Sequence, residues 1–219
     1  MFRSLLFIPG NNERFLKKSI NLKPDILCFD LEDSVPSNDK ELARNLVAGH
    51  VATHDEDKEP SIYVRINSVD SGLVDGDLDR VLVKGLDGIV LPKISNSQEV
   101  IQIIDKIEMI VSKRSISARI RIIPSIETAK GVINANSIAS AHENVVALVF
   151  GVFDYLYDMN IDVEYDDHLS YNYARSKIPV DAKAAGIEAM DGIWQEVNDL
   201  DGLIKDATNA KKLGYSGKT

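Results

Sequence analysis

Carboxylates interrupt this chain at three places, each directly after a short apolar run. Asp30, Glu32 and Asp33 follow IleLeuCysPhe, Glu127 follows IleArgIleIleProSerIle, and Asp154 follows ValValAlaLeuValPheGlyValPhe. A carboxylate is costly in apolar surroundings unless something compensates its charge. The same placement in three repeating units therefore points to one shared site with a hard divalent cation at its centre. A magnesium site takes one or two protein carboxylates and leaves its other positions to water and substrate oxygens. Glu127 and Asp154 suit that role. Arg65, near the end of SerIleTyrValArgIleAsn, is placed to pair with the carboxylate of a chelating 2-keto acid. The same cation would stabilise negative charge growing on an enolate or alkoxide oxygen. These residues are the main reason to read the chain as an enzyme.

Such a site needs strands that deliver their ends to one place. β-Type runs fall at about 3–9, 25–30, 61–67, 88–92, 119–126, 145–151, 187–193 and 213–217. Helical patterns lie between them, at 12–19, 38–52, 77–84, 97–113, 128–141, 167–185 and 199–212. ValIleGlnIleIleAspLysIleGluMetIleVal has the three- and four-residue apolar spacing of a helix face. AspGlyIleValLeuPro and ValValAlaLeuValPhe are continuous instead, as buried parallel strands are.

The 219 residues thus predict a single α/β domain over 1–219, a (βα)8 TIM barrel near the lower end of that fold's size range. An open doubly wound sheet is the rival, but ProGlyAsnAsn rather than a GxGxxG turn follows the first strand. In a barrel, Arg65, Glu127 and Asp154 fall at the C-terminal ends of strands three, five and six, while Glu32 and Asp33 follow strand two. Helix capping is the competing reading. Asp33, followed by Ser34 and Pro36, can cap the next helix; Thr128 can cap in place of Glu127; Asp154 can cap the sixth helix.

The formal net charge of −9, with no basic stripe, argues against nucleic acid as a partner. It says nothing against a small acid held by a few Arg and Lys. No run approaches the ~18 apolar residues of a membrane span, and the N-terminus lacks a signal peptide's core and cleavage site. A cytoplasmic protein is expected. Cys28 reads as a buried strand thiol. His50, His54, His142 and His168 form no zinc spacing and read as surface residues. No nucleophile elbow occurs. Lys93 ends strand four, where a Schiff-base lysine would sit, but no desolvating or cationic neighbour in the sequence supports that role. HisAspGluAspLysGlu (54–59) reads as a solvated loop.

With these residues in view, the chain resembles the citrate lyase β-subunit-like branch of the HpcH/HpaI aldolase/citrate lyase superfamily. The likeness runs through ArgSerLeuLeuPheIleProGlyAsn (3–11), AspIleLeuCysPheAspLeuGluAspSerValPro (25–36) and TyrValArgIleAsn (63–67). It continues with GlyIleValLeuProLys (88–93), IleProSerIleGluThrAlaLysGlyValIle (123–133) and PheGlyValPheAspTyr (150–155). AlaAlaGlyIleGluAlaMetAspGly (184–192) and LysLeuGlyTyrSerGlyLys (212–218) complete the series. The resemblance implies a Mg2+-dependent lyase that cleaves or forms a carbon–carbon bond in a β-hydroxyacyl thioester such as citryl-, malyl- or citramalyl-CoA. It also implies that Glu127 and Asp154 bind the metal, that Arg65 clamps the keto acid and that Glu32 and Asp33 lie near metal-bound waters. Arg14 and Lys17 match first-helix cations that meet the nucleotide phosphates of CoA, and both also read as ordinary solvated helix residues.

The resemblance departs after Lys218-Thr219, where relatives continue with an Ile-His-Pro segment, a last barrel helix and often a lid. A barrel without them is expected to leave an apolar flank beside strands one and eight, and so to self-associate as a homo-oligomer. Two other functions fit the same residues: a non-catalytic keto-acid-binding subunit of a larger complex, and a thioesterase on this scaffold. The thioester carrier is either CoA or an acyl-carrier group.

Overall fold

The computed structural model describes residues 1–19, 21–54, 60–116, 119–162 and 169–219. The apolar runs form β1 (Leu5–Pro9), β2 (Ile26–Asp30), β3 (Ser61–Arg65), β4 (Gly88–Leu91), β5 (Arg121–Ile126), β6 (Ala147–Phe150), β7 (Glu188–Asp191) and β8 (Gly217–Lys218). They lie in one eight-stranded sheet in the order of the chain, with all seven neighbouring pairs parallel. A parallel bridge from Ser4 to Lys218 brings β8 back beside β1 and closes the ring. Between strands run α1 (Glu13–Ser19), α2 (Lys40–Val51), α3 (Val74–Val81), α4 (Ser97–Arg114), α5 (Ala129–Ile133), α6 (Ala135–Ala139), α7 (Val152–Asp158), α8 (Asn172–Ala184) and α9 (Leu200–Leu213). This is the expected (βα)8 barrel.

The period of two along each strand divides the core. Leu5, Ile26, Cys28, Tyr63, Val90, Ile123, Ala147, Val149 and Met190 form one buried cluster inside the ring. Residues of opposite parity, such as Leu27, Phe29, Ile62 and Val64, join the larger cluster that packs against the helices. Extending the inner parity toward the strand ends reaches Asp30, Arg65, Glu127 and Gly151. The alternation that fills the barrel therefore aims those positions into its mouth.

Four expectations need correction. The stretch 128–141 is two short helices, α5 and α6, meeting at Asn134. Asp154 is not at a strand end: β6 stops at Phe150, and Asp154 sits in the first turn of α7, a helix the continuous apolar run concealed. The eighth strand is only Gly217–Lys218, because the left-handed Gly214 ends α9 late. The histidines are not simply surface groups, since His50 meets Phe29 edge-on at 5.3 Å. Cys28 is buried as expected. Most of the 54–59 loop, together with His168, lies outside the described residues. Among the described residues, no helix is long and apolar enough to cross a membrane.

The last two βα units are tied to the closing strand by a charge network. Arg175 of α8 forks onto Asp191 at the end of β7 (3.1 and 2.6 Å) and reaches Asp206 of α9 at 2.6 Å. Lys218 of β8 meets the same two acids at 2.9 and 2.6 Å. Two cations facing two anions leave no net charge in this largely buried cluster, the condition under which such groups are tolerated.

Candidate active site

Asp30 and Arg65 are register partners across β2 and β3. Their side chains form a two-pronged ion pair, Nε to Oδ1 and Nη2 to Oδ2, both at 2.7 Å. Asp30 is fully buried and also accepts from the Glu32 and Ser34 amides. Burial alone would raise its pKa, but the hydrogen bond and charge of Arg65, with the Ser34 and Glu32 donors, hold it below the ordinary value. The guanidinium also lies over the Phe7 ring, with Cζ 4.7 Å from the centroid. Asp30 thus takes up the Nε–Nη2 fork of Arg65 and leaves Nη1 outside that pair.

That Nη1 stands 3.3 Å from Glu32 Oε2, a buried oxygen without a hydrogen bond among the described residues. Glu32 Oε1 instead accepts from Lys93 Nζ at 2.7 Å, and the same ammonium reaches Asp33 at 3.2 Å and Asp154 at 3.6 Å. Burial, only partly offset by Arg65 and Lys93, raises the Glu32 pKa. Lys93 moves oppositely to a Schiff-base lysine. Burial would lower its pKa, but the hydrogen bond and charge of Glu32, with Asp154 and Asp33, outweigh it and raise the pKa. The amine stays charged and is a poor nucleophile. Lys93 also has φ of +54°, whereas the other non-glycine residues in that region among the described residues, Ser115 and Asn160, follow helix ends. This conformation costs about 1–2 kcal/mol and lets the Lys93 amide donate to Glu127 Oε1 at 2.6 Å.

Glu127 is only 3 % exposed. Thr128, not Glu127, caps α5, accepting from the Gly131 amide, which leaves the Glu127 carboxylate to the bowl. A Cβ at position 151 would lie 2.2 Å from Glu127 Oε2, so glycine at the end of β6 is what allows the carboxylate its place. Burial first, then the charges of Asp154 and Glu32, push the Glu127 pKa up to about 8. Asp154 does not cap its helix, whose N-cap is Gly151 without a side-chain bond. Glu127, Asp154, Arg65 and Asp30 line one cavity of about 310 Å3, the low end of the size that encloses small ligands.

Two carboxylates that repel one another beside an unbonded Oε2 fit a hard cation. Among the described residues no group of three or more His, Cys, Asp or Glu is placed to hold a metal. The pair of carboxylates, Glu127 and Asp154, suits magnesium, which takes one or two protein carboxylates and keeps waters and substrate oxygens. Arg14 and Lys17 are exposed on α1. Lys17 pairs with Glu13 at 2.6 Å, and neither residue lines the cavity. The roles of Asp30 and Gly151 were missed, although the inner-strand parity marks both.

Fold and site together define a (βα)8 barrel with an acidic, arginine-bearing bowl at the carboxyl ends of its strands. The chain matches the HpcH/HpaI aldolase/citrate lyase family over residues 3–219 and belongs to that family. It is 34% identical over 220 residues to citrate lyase subunit beta of Haemophilus influenzae, covering 99% of this chain and 74% of that protein. It is 32% identical over 226 residues to the mitochondrial citramalyl-CoA lyase of Rattus norvegicus, covering 99% and 66%. The fold is shared with protein CitE from Mycobacterium tuberculosis, solved in complex with magnesium and acetoacetate: TM-score 0.81, 24% identity, 98% of this chain and 82% of that one.

Proposed function

We propose that this chain is a magnesium-dependent carbon–carbon lyase that cleaves, or in reverse forms, a small β-hydroxyacyl thioester, with an acyl thioester and a 2-keto acid as products. The observation that carries this reading is the meeting of Arg65, Glu127 and Asp154 in one cavity at the mouth of the barrel. Family membership and relatives named citrate lyase subunit beta and citramalyl-CoA lyase support it. So does the acetoacetate held with magnesium by a protein of the same fold.

Glu127 and Asp154 would hold the cation, which when bound supplies a Lewis acid favouring negative charge on substrate oxygens. Arg65 presents Nη1 to the keto-acid carboxylate, and its rotation is fixed by Asp30. Glu32 and Asp33 are gathered by Lys93 next to Arg65 and Asp154 rather than in the cavity lining itself. Arg14 and Lys17 would meet the carrier phosphates from α1 if the carrier is CoA.

The test is product analysis. Purified protein with Mg2+ and citramalyl-, malyl- or citryl-CoA is expected to release keto acid and acetyl-CoA in a 1:1 ratio from at least one of them, and EDTA is expected to stop the release. Free hydroxy acid and CoA without keto acid would instead identify a thioesterase. Binding of keto acid and Mg2+ without turnover of any thioester would identify a non-catalytic subunit.

A further inference from the structure

We propose that the Lys93 ammonium is a built-in counter-ion of the metal-free bowl, holding Glu32, Asp33 and Asp154 together and competing with a divalent cation for their charge. The inference rests on the reading of Glu127 and Asp154 as cation ligands. One ammonium faces three acids, at 2.7, 3.2 and 3.6 Å, and the longest approach is to Asp154. Its main chain is held in the left-handed region away from any helix end, and that same turn gives Glu127 its amide donor. Lys93 is thus fixed at both ends to the acids around the bowl. It is placed to offset their repulsion when no divalent cation does.

A divalent cation between Glu127 and Asp154 brings like charge toward Nζ, so the two cations oppose each other. Arg65 shares part of this load, its Nη1 lying 3.3 Å from Glu32 and 4.0 Å from Asp33, but the ammonium that reaches Asp154 is that of Lys93, at 3.6 Å. Lys93 is therefore a positioning residue that sets metal affinity.

The experiment is calorimetric titration of Mg2+ into metal-free wild type, Lys93→Gln and Lys93→Arg at pH 8, with thermal melts with and without Mg2+. Gln removes the charge and keeps an N–H donor, though one of shorter reach. Lys93→Gln is expected to bind Mg2+ about tenfold tighter and to show a larger Mg2+-induced rise in Tm than wild type. Lys93→Arg is expected to stay within about threefold of wild-type affinity. A purely structural lysine would lower Tm equally with and without Mg2+ and leave the affinity unchanged, and either result overturns the proposal. If wild type itself takes up no Mg2+, the metal reading fails along with it; if wild type binds and Lys93→Gln binds no tighter, only the role of Lys93 fails.

Discussion

Glu127→Gln is expected to cut lyase turnover by about 10³-fold, to abolish Mg2+ binding and, in metal-free protein near pH 8, to raise Tm. The opposed effects share one cause. Buried Glu127, beside Asp154 and Glu32, has a pKa raised from 4.5 to about 8. The folded chain therefore holds this proton more tightly than the unfolded chain does. Its contribution to stability is complete below pH 4.5, declines as pH rises toward 8 and is lost above that. Each unit is about 1.4 kcal/mol, so an ionised Glu127 costs the metal-free fold a few kcal/mol. Glutamine has no such decline, and its amide oxygen can still accept from Lys93. Melts of both proteins in EDTA from pH 5 to 9 check this: the curves should separate as pH rises, and Mg2+ should stabilise only wild type. Parallel curves would contradict it.

Arg65→Met is expected to lower stability by about 3–5 kcal/mol, a fall in Tm of about 10 °C. It leaves the fully buried Asp30 without its two-pronged partner and Glu32 without its nearest guanidinium. Arg65→Met with Asp30→Asn should recover part of the loss, because the stranded charge is then gone. Differential scanning calorimetry of the three proteins decides it. A loss below about 1 kcal/mol for Arg65→Met would mean that the pair is already well solvated.

Much of this was legible in the sequence because apolar period and chain order determine a (βα)8 barrel almost without regard to detail. Arg65 and Glu127 sit on the inner parity of their strands, so their convergence follows once the strands are placed. Asp154 was harder: its apolar run continues from strand into helix, and only backbone geometry shows that β6 stops at Phe150. Lys93 was harder still. By parity it points outward with Leu91, and a left-handed turn that no residue type announces brings it to the bowl. The commitment of Arg65 to Asp30 required the register of β2 against β3, which pairs residues 35 apart in sequence.

Glu127 and Asp154 are proposed to bind one divalent cation together. Crystals grown with Mn2+ and pyruvate or oxaloacetate test it directly through the anomalous signal of manganese. A single peak at coordination distance, about 2.1 Å, from a carboxylate oxygen of each residue is the expected result. A peak bound elsewhere, or none at saturating Mn2+, would contradict it.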